Sequence, residues 1–380
     1  MIYLDNAASS HPKPEAVYKA ADEALRLGAN PGRSGHGSAL SAARIIHETR
    51  ELAAKLLGAG DSSRIIFTSN ATHAINIALK GFSLKPGDHV VTSSMEHNSI
   101  LRPLHALQQS GVDICTVTAD STGVIDPEEV ERAIKPQARL VALSHGSNVT
   151  GALLDLKSIG EICRKKRVAL LLDASQTAGV VPIDVVRDGV TMLTAPGHKG
   201  LLGPQGTGIL YVSPSIDLNP LMEGGTGFAS ESREMPEVFP ERLEAGTMNT
   251  PGIAGMGAGI SWLLEKGVEN IRKKELEILA HLLARFKEIK GLREYGPADP
   301  EKRVAVVSFN LEGVDGAHLG YALDEVFSIA VRVGLHCAPD AHKTIGTFPG
   351  GTVRASFGPF NTVADADALC EALIKLSNLK

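Results

Sequence analysis

Val168-Ala-Leu-Leu-Leu-Asp173-Ala-Ser-Gln176, followed one strand-sized segment later by Gly197-His198-Lys199, decides the reading of this chain. A short apolar run that ends on a carboxylate reads as a buried strand whose carboxyl end opens onto a site. Working outward, similar runs recur at Arg64 to Thr68, His89 to Thr92, Val112 to Val117 and Arg139 to Leu143. Between them lie amphipathic stretches, Ser99 to Gln109, Asp126 to Ile134 and Leu156 to Lys166, long enough to serve as crossovers onto a mostly parallel sheet. The expectation from about Glu15 to Val212 is therefore an α/β fold whose ligand sits at the strands' carboxyl ends.

Beyond Met222 the texture changes. Glu-Gly-Gly-Thr-Gly-Phe-Ala-Ser-Glu-Ser reads as a long polar loop, and its length makes it a candidate functional one. Helical patterns dominate from Gly252 to Lys290. Strands at Val304 to Asn310, Ile329 to Val333 and Thr352 to Phe357, with helices near Gly316 to Val326 and Val363 to Leu379, suggest a smaller α+β domain.

Composition narrows the function classes. The formal charge is only -5, basic residues are spread along the chain and aromatics make up 4%, so neither a phosphate-tracking surface nor a base-stacking platform for nucleic acid is indicated. No uninterrupted apolar stretch approaches the roughly 18 residues of a membrane span. The start, Met1-Ile-Tyr-Leu-Asp-Asn6, lacks a basic segment followed by an apolar one, so the chain reads as cytoplasmic. Its cysteines, Cys115, Cys163, Cys337 and Cys370, are scattered without CxxC spacing, against a zinc knuckle or a dense disulfide framework, and no metal site is expected.

Asp173 and Lys199 together suit an enzyme that holds pyridoxal phosphate, the lysine forming a Schiff base and the aspartate partnering the pyridinium nitrogen. Phe67-Thr-Ser-Asn-Ala-Thr72-His-Ala-Ile-Asn76 runs from a strand end into a helix whose start offers free N–H groups to an anion; the same residues equally read as a plain cap at Ser69 or Asn70. His97, in Met95-Glu-His97-Asn98, offers a flat imidazole past the second strand that suits stacking on a cofactor ring and catalytic help in proton transfer, although a lone histidine is more often structural. Asn148, in Ser147-Asn148-Val-Thr-Gly151, can reach the same cleft or simply make a turn.

Tyr3-Leu-Asp-Asn-Ala-Ala8, Asn70 to Asn76, Glu96-His-Asn98, Ser147 to Gly151, Asp173 to Gln176, Gly197-His-Lys199 with Gly203-Pro-Gln-Gly206, and Glu244-Ala-Gly-Thr247 stand in the order found in one family. Over essentially its whole length the chain resembles the class V aminotransferases of the fold type I pyridoxal phosphate enzymes, and among them the cysteine desulfurases. The resemblance implies a large cofactor-binding domain, residues 15–255, and a small domain formed by residues 1–14 and 256–380. It implies that Lys199 is the Schiff-base lysine, that Asp173 pairs with the ring nitrogen, that Gln176 and Asn148 approach the ring hydroxyl and that His97 stacks on the ring. Ala71 and Thr72 would bind the phosphate through the helix start, with His198 as a further donor. Thr247 would reach the phosphate of a neighbouring subunit, which implies a homodimer.

The cofactor alone permits several reactions, so the small domain has to choose among them. Arg332-Val-Gly-Leu-His336-Cys337-Ala-Pro339 puts a thiol before a Gly/Pro loop, on what reads as an exposed turn, with Arg332 and His336 near enough to favour a thiolate. Cys115, Cys163 and Cys370 read instead as buried small hydrophobes. The surroundings of Cys337 resemble the short catalytic loop of desulfurases related to selenocysteine lyase, in which this cysteine accepts sulfur, and Arg354 matches the family arginine that holds the substrate carboxylate, with Asn148 and Arg332 as further substrate contacts. The resemblance thus implies conversion of L-cysteine to L-alanine with a persulfide on Cys337, sulfur passing to an acceptor such as a protein serving iron–sulfur cluster assembly. The alternatives are a selenocysteine lyase, or an aminotransferase or epimerase of the same class acting on another amino acid. The sequence departs from the family pattern at Pro196, where a phosphate-binding serine is common, at Leu335, where some relatives have a second histidine, and at His73, where an acidic residue is common.

Overall fold

The computed structural model describes residues 1–31 and 35–378. Its strands in chain order are β1 Ile2–Tyr3, β2 Ile65–Thr68, β3 His89–Ser93, β4 Asp113–Val117, β5 Ala138–Ser144, β6 Ala169–Asp173, β7 Met192–Pro196 and β8 Gly208–Val212, then β9 Leu292–Tyr295, β10 Val306–Leu311, β11 Ile329–Ala330, β12 Arg332–Gly334 and β13 Thr352–Ser356. Seven of them form one sheet in the order β2-β8-β7-β6-β5-β3-β4, parallel except for β8, which runs antiparallel to both neighbours. A four-stranded antiparallel sheet has the order β12-β13-β10-β9, and β1 pairs with β11 in parallel.

The opening stretch explains itself in this frame. All five residues of β6 are buried, because the strand has neighbours on both sides and covered faces above and below. Leu170 and Leu172 join one apolar core, while Ala169 and Leu171 join the core on the other face, as the two-residue period of a strand requires. Each fully buried leucine contributes about 1.5–3 kcal/mol. Asp173 then arrives at the carboxyl edge with its backbone still paired to Thr194.

The helix before β6, Leu156–Lys166, keeps the bounds read from its pattern. Asp155 caps its start by accepting from Ser158 N–H at 3.1 Å, and Arg164, Lys165 and Lys166 meet the negative end of its dipole. Leu156, Ile159 and Cys163 form its buried face. Gly160 is required there: a Cβ would lie 1.9 Å from the Asp188 carbonyl oxygen, so the helix sits directly on the turn before β7.

Between β8 and the helix Thr250–Lys266 there is neither helix nor strand among the described residues, in line with the loop expected beyond Met222. One expected strand divides. Ile329 to Val333 splits at Val331, with β11 pairing to β1 and β12 to β13, because two different sheets compete for its two ends. Strands β8 and β9 lie outside the runs expected from the pattern, although β8, Gly208–Val212, is itself apolar and buried throughout. The expected helix near Val363 to Leu379 runs Val363–Ser377, and Leu379 lies outside the described residues. Leu4, beside β1, belongs with Val307, Phe309, Ile329 and Val353 to a core separate from the two on the faces of the large sheet. No helix among the described residues is long and apolar enough to cross a membrane.

Candidate active site

The carboxyl ends of β5, β6 and β7 and the start of the helix Ala71–Gly81 surround a cavity of about 240 Å³. Asp173 lines it and is 4% exposed. Its Oδ1 accepts the Ser175 backbone N–H at 3.0 Å and the Ser175 hydroxyl, and among the described residues Oδ2 accepts nothing. Lys199 reaches the same cavity from the turn after β7. Gly197 makes that turn possible, since a Cβ there would meet Thr207 Oγ1 at 2.0 Å, and Gly203 N–H closes it onto the Gly197 carbonyl at 2.7 Å. Burial pulls the Lys199 amine down to about 8; Arg354 and Arg332 push the same way, while Asp173 and Asp5 oppose them.

His97 caps the helix Asn98–Gln109, its Nδ1 accepting from Ser99 N–H at 3.1 Å, so Nε2 carries the ring proton. Burial is the main reason its pKa falls below the ordinary value, which keeps the ring neutral. Ala71 and Thr72 line the cavity just past Asn70, whose side-chain oxygen accepts the His73 N–H at 2.9 Å. Ser99 and Thr72 are joined by their hydroxyls at 2.8 Å. His198 also lines the cavity, and its Nδ1 is buried without a hydrogen-bond partner among the described residues; burial, then Lys199 and Lys13, press its pKa down to about 4. Gln176 gives its amide to the Ala7 carbonyl at 3.1 Å. Pro196 is part of the wall where a serine was the family expectation.

Cys337 opens onto this cavity from the far end of the chain and is exposed. It and His336 both take left-handed backbone conformations, φ 58° and 48°, which cost energy for residues bearing a Cβ. Two contacts hold the turn: Asn98 N–H donates to the Cys337 carbonyl at 2.8 Å, and Asn148 Nδ2 donates to the His336 carbonyl at 2.7 Å. Asn148 lines the cavity, with one of its two amide hydrogens committed to this turn and the other left for a ligand. Arg354, on β13, gives Nη1 to the Asn148 carbonyl at 3.0 Å and Nη2 to Asp5 Oδ1 at 2.9 Å. Arg332 lines the cavity beside it.

The structure therefore gathers Ala71, Thr72, His97, Asn148, Asp173, Gln176, His198, Lys199, Arg332, Cys337 and Arg354 around one space. Thr247 is not among them; it borders a separate hollow with Arg50 and Glu244. The expected help of His336 toward a thiolate is overturned. His336 is 6% exposed, bonded to Thr352 Oγ1 at 3.1 Å, and pushed down to about 2 chiefly by burial, so it is neutral and offers Cys337 no charge. Of the remaining cysteines, Cys163 and Cys370 are buried with thiols pushed up to about 12 and about 11, whereas Cys115 is only half-buried because it lies on the edge strand β4.

Two further residues of the family motifs, Glu96 and Asp5, take part in the site. Glu96 is fully buried and accepts the Ser93 hydroxyl at 2.5 Å and the Ser144 N–H and hydroxyl at 2.8 and 2.7 Å. Burial raises it to about 7 against those bonds, with a further push from Asp173. Asp5, in the N-terminal segment, faces both arginines. Only their neighbours in sequence could have flagged either.

The aminotransferase class V family model matches residues 2–369. The chain belongs to that family. A probable cysteine desulfurase of Methanothermobacter thermautotrophicus is 38% identical to this class V protein, the alignment covering 100% of the chain and 95% of the relative. Cysteine desulfurase CsdA of Escherichia coli is 31% identical, with 98% and 93% covered. Among solved structures, the apo cysteine desulfurase from Thermococcus onnurineus NA1 superposes with a TM-score of 0.94 at 32% identity, covering 100% of this chain and 95% of the other. The class V protein thus has the fold type I architecture expected of it.

Proposed function

We propose that this class V protein is a pyridoxal phosphate-dependent cysteine desulfurase that converts L-cysteine to L-alanine and takes the sulfur onto Cys337. The observation that carries this reading is the opening of Cys337, on its clamped left-handed turn, onto the same cavity as Lys199, Asp173 and Arg354. The residues present fit the cofactor: among the described residues His198 Nδ1 is a buried polar atom lacking a partner and Asp173 keeps Oδ2 free, and His97 is a neutral flat ring. Ala71, Thr72 and His198 would hold its phosphate, Asp173 its ring nitrogen, Gln176 and Asn148 its hydroxyl side, and Lys199 its aldehyde carbon. When bound, the cofactor supplies an electron sink for the substrate's α carbon.

The protein's own groups do the rest. Arg354 takes the substrate carboxylate, a task suited to a planar guanidinium, with Arg332 beside it. Lys199, neutral above about pH 8, accepts the α proton at Nζ. Cys337 Sγ, as thiolate, attacks the substrate sulfur: the S–S bond forms, the Cβ–S bond breaks, and its electron pair stays on the carbon that becomes the methyl group of alanine. The persulfide then passes to an acceptor thiol or protein, one route being supply of sulfur for iron–sulfur cluster assembly.

The same reading carries a homodimer in which Thr247 serves the neighbouring subunit, supported by Thr247 bordering a separate hollow and not this chain's own cavity. It carries a division into residues 15–255 and residues 1–14 with 256–380, supported by the separate core that Leu4 shares with β10 and β13. The test is mass measurement after exposure to L-cysteine. A sulfur atom added at Cys337 and alanine released are expected, with both lost in Cys337→Ala while the cofactor's absorbance survives; undiminished alanine formation in that variant refutes the assignment.

A further inference from the structure

Arg332 on β12 and Arg354 on β13 are direct register partners across the antiparallel pair, and both line the cavity. Two guanidinium groups so placed repel each other. Asp5 offsets this: Oδ1 lies 2.9 Å from Arg354 Nη2 and Oδ2 lies 3.8 Å from Arg332 Nη1. Its position comes from β1, which pairs with β11, and from its own bridge to Ser356 at the end of β13. The three groups thus come from three remote segments and meet at one wall of the site.

Asp5 does not saturate Arg354. Nε is buried without a partner among the described residues, so the contact to Asp5 is single rather than a closed fork. Two fixed positive charges and one fixed negative charge leave the wall with one net positive charge, enough for one carboxylate.

Resting on the desulfurase reading, we infer that Asp5 is a specificity-determining positioning residue: by compensating one of the two arginine charges it fits the cavity to an amino acid with a single carboxylate and an uncharged side chain, and turns away one bearing a second anionic group. Without Asp5 the same wall would offer two uncompensated cations to a dicarboxylate.

The experiment measures binding of L-alanine and of L-aspartate to the holoenzyme by calorimetry at low salt. Asp5→Asn should strengthen L-aspartate relative to L-alanine by about tenfold, close to the size of one charge pair screened by water. Asp5→Glu, which restores the charge, should return the ratio toward that of the wild type. An unchanged ratio in Asp5→Asn, or parallel weakening of both ligands, overturns the inference. Arg332→Gln is a second test that leaves Asp5 in place. The Asp5 charge then rests on Arg354 alone, so L-alanine affinity should fall by about tenfold, and undiminished affinity also overturns the inference. Alanine formation from L-cysteine by the wild type tests the underlying reading separately, because neither binding ratio requires sulfur transfer.

Discussion

Replacing Asn148 by Ala tests whether the Cys337 turn is held in a strained, productive shape. Asn148 Nδ2 donates to the His336 carbonyl at 2.7 Å, and residues 336 and 337 are both left-handed. Such residues store on the order of 1–3 kcal/mol each and persist only where their surroundings hold them. Removing the amide leaves the buried His336 carbonyl without this partner, at a cost of about 2 kcal/mol, which corresponds to about a 30-fold fall in the ratio of clamped to released turn. The Asn98 contact to the Cys337 carbonyl remains, so the turn loosens without being abolished. Single-turnover formation of the persulfide should slow by between about 3-fold and 30-fold. Cofactor occupancy, read by absorbance, should stay near that of the wild type at saturating cofactor. Hydrogen exchange at the Ala338 amide, which closes the turn onto the Leu335 carbonyl at 2.9 Å, should accelerate. Wild-type sulfur transfer in Asn148→Ala, or a loss that disappears once the cofactor is saturated, would refute the clamp.

Uptake of pyridoxal phosphate by the apoprotein should accelerate as pH rises from 7 to 9 with a midpoint near 8, because the Lys199 amine, lowered to about 8, must lose its proton to act as a nucleophile; stopped-flow absorbance reads this, and a midpoint near the ordinary lysine value contradicts it. Pro196→Ser adds a hydroxyl to the cavity wall where the phosphate is proposed to lie and should slow cofactor loss by about tenfold, followed by absorbance during dilution; faster loss would put the phosphate elsewhere. Gly160→Ala should destabilise the protein by about 2–4 kcal/mol in urea unfolding, since its Cβ would overlap the Asp188 carbonyl oxygen, whereas Gly60→Ala, with open space around it, should stay within about 0.5 kcal/mol of the wild type.

The large sheet was legible in the chain because its strands are short, apolar and separated by amphipathic helices, a pattern that local spacing carries by itself. The site's outline was legible for a related reason: Asp173, Lys199, His97 and Asn148 follow strand ends or glycine turns, and those are the places where a parallel sheet exposes side chains to a ligand. Local pattern failed where pairing is remote. Nothing in Ile329 to Val333 says that two sheets will divide it, since β1 and β13 come from opposite ends of the chain.

Residue order and spacing were enough for the α/β class, the family, and the identity of the candidate groups. Protonation and partnership belonged to the folded molecule. His336 stands next to Cys337 in sequence and looked like a source of positive charge, yet desolvation by residues packed around it makes it neutral. Asp5 and Arg354 are separated by almost the whole chain, and only the pairing of β1 with β11 and of β12 with β13 brings one carboxylate against two guanidinium groups. A linear pattern records which side chains are available. Burial and long-range contact set their charges, because the energy of an ionised group depends on everything within a few ångströms of it, whatever its place along the chain.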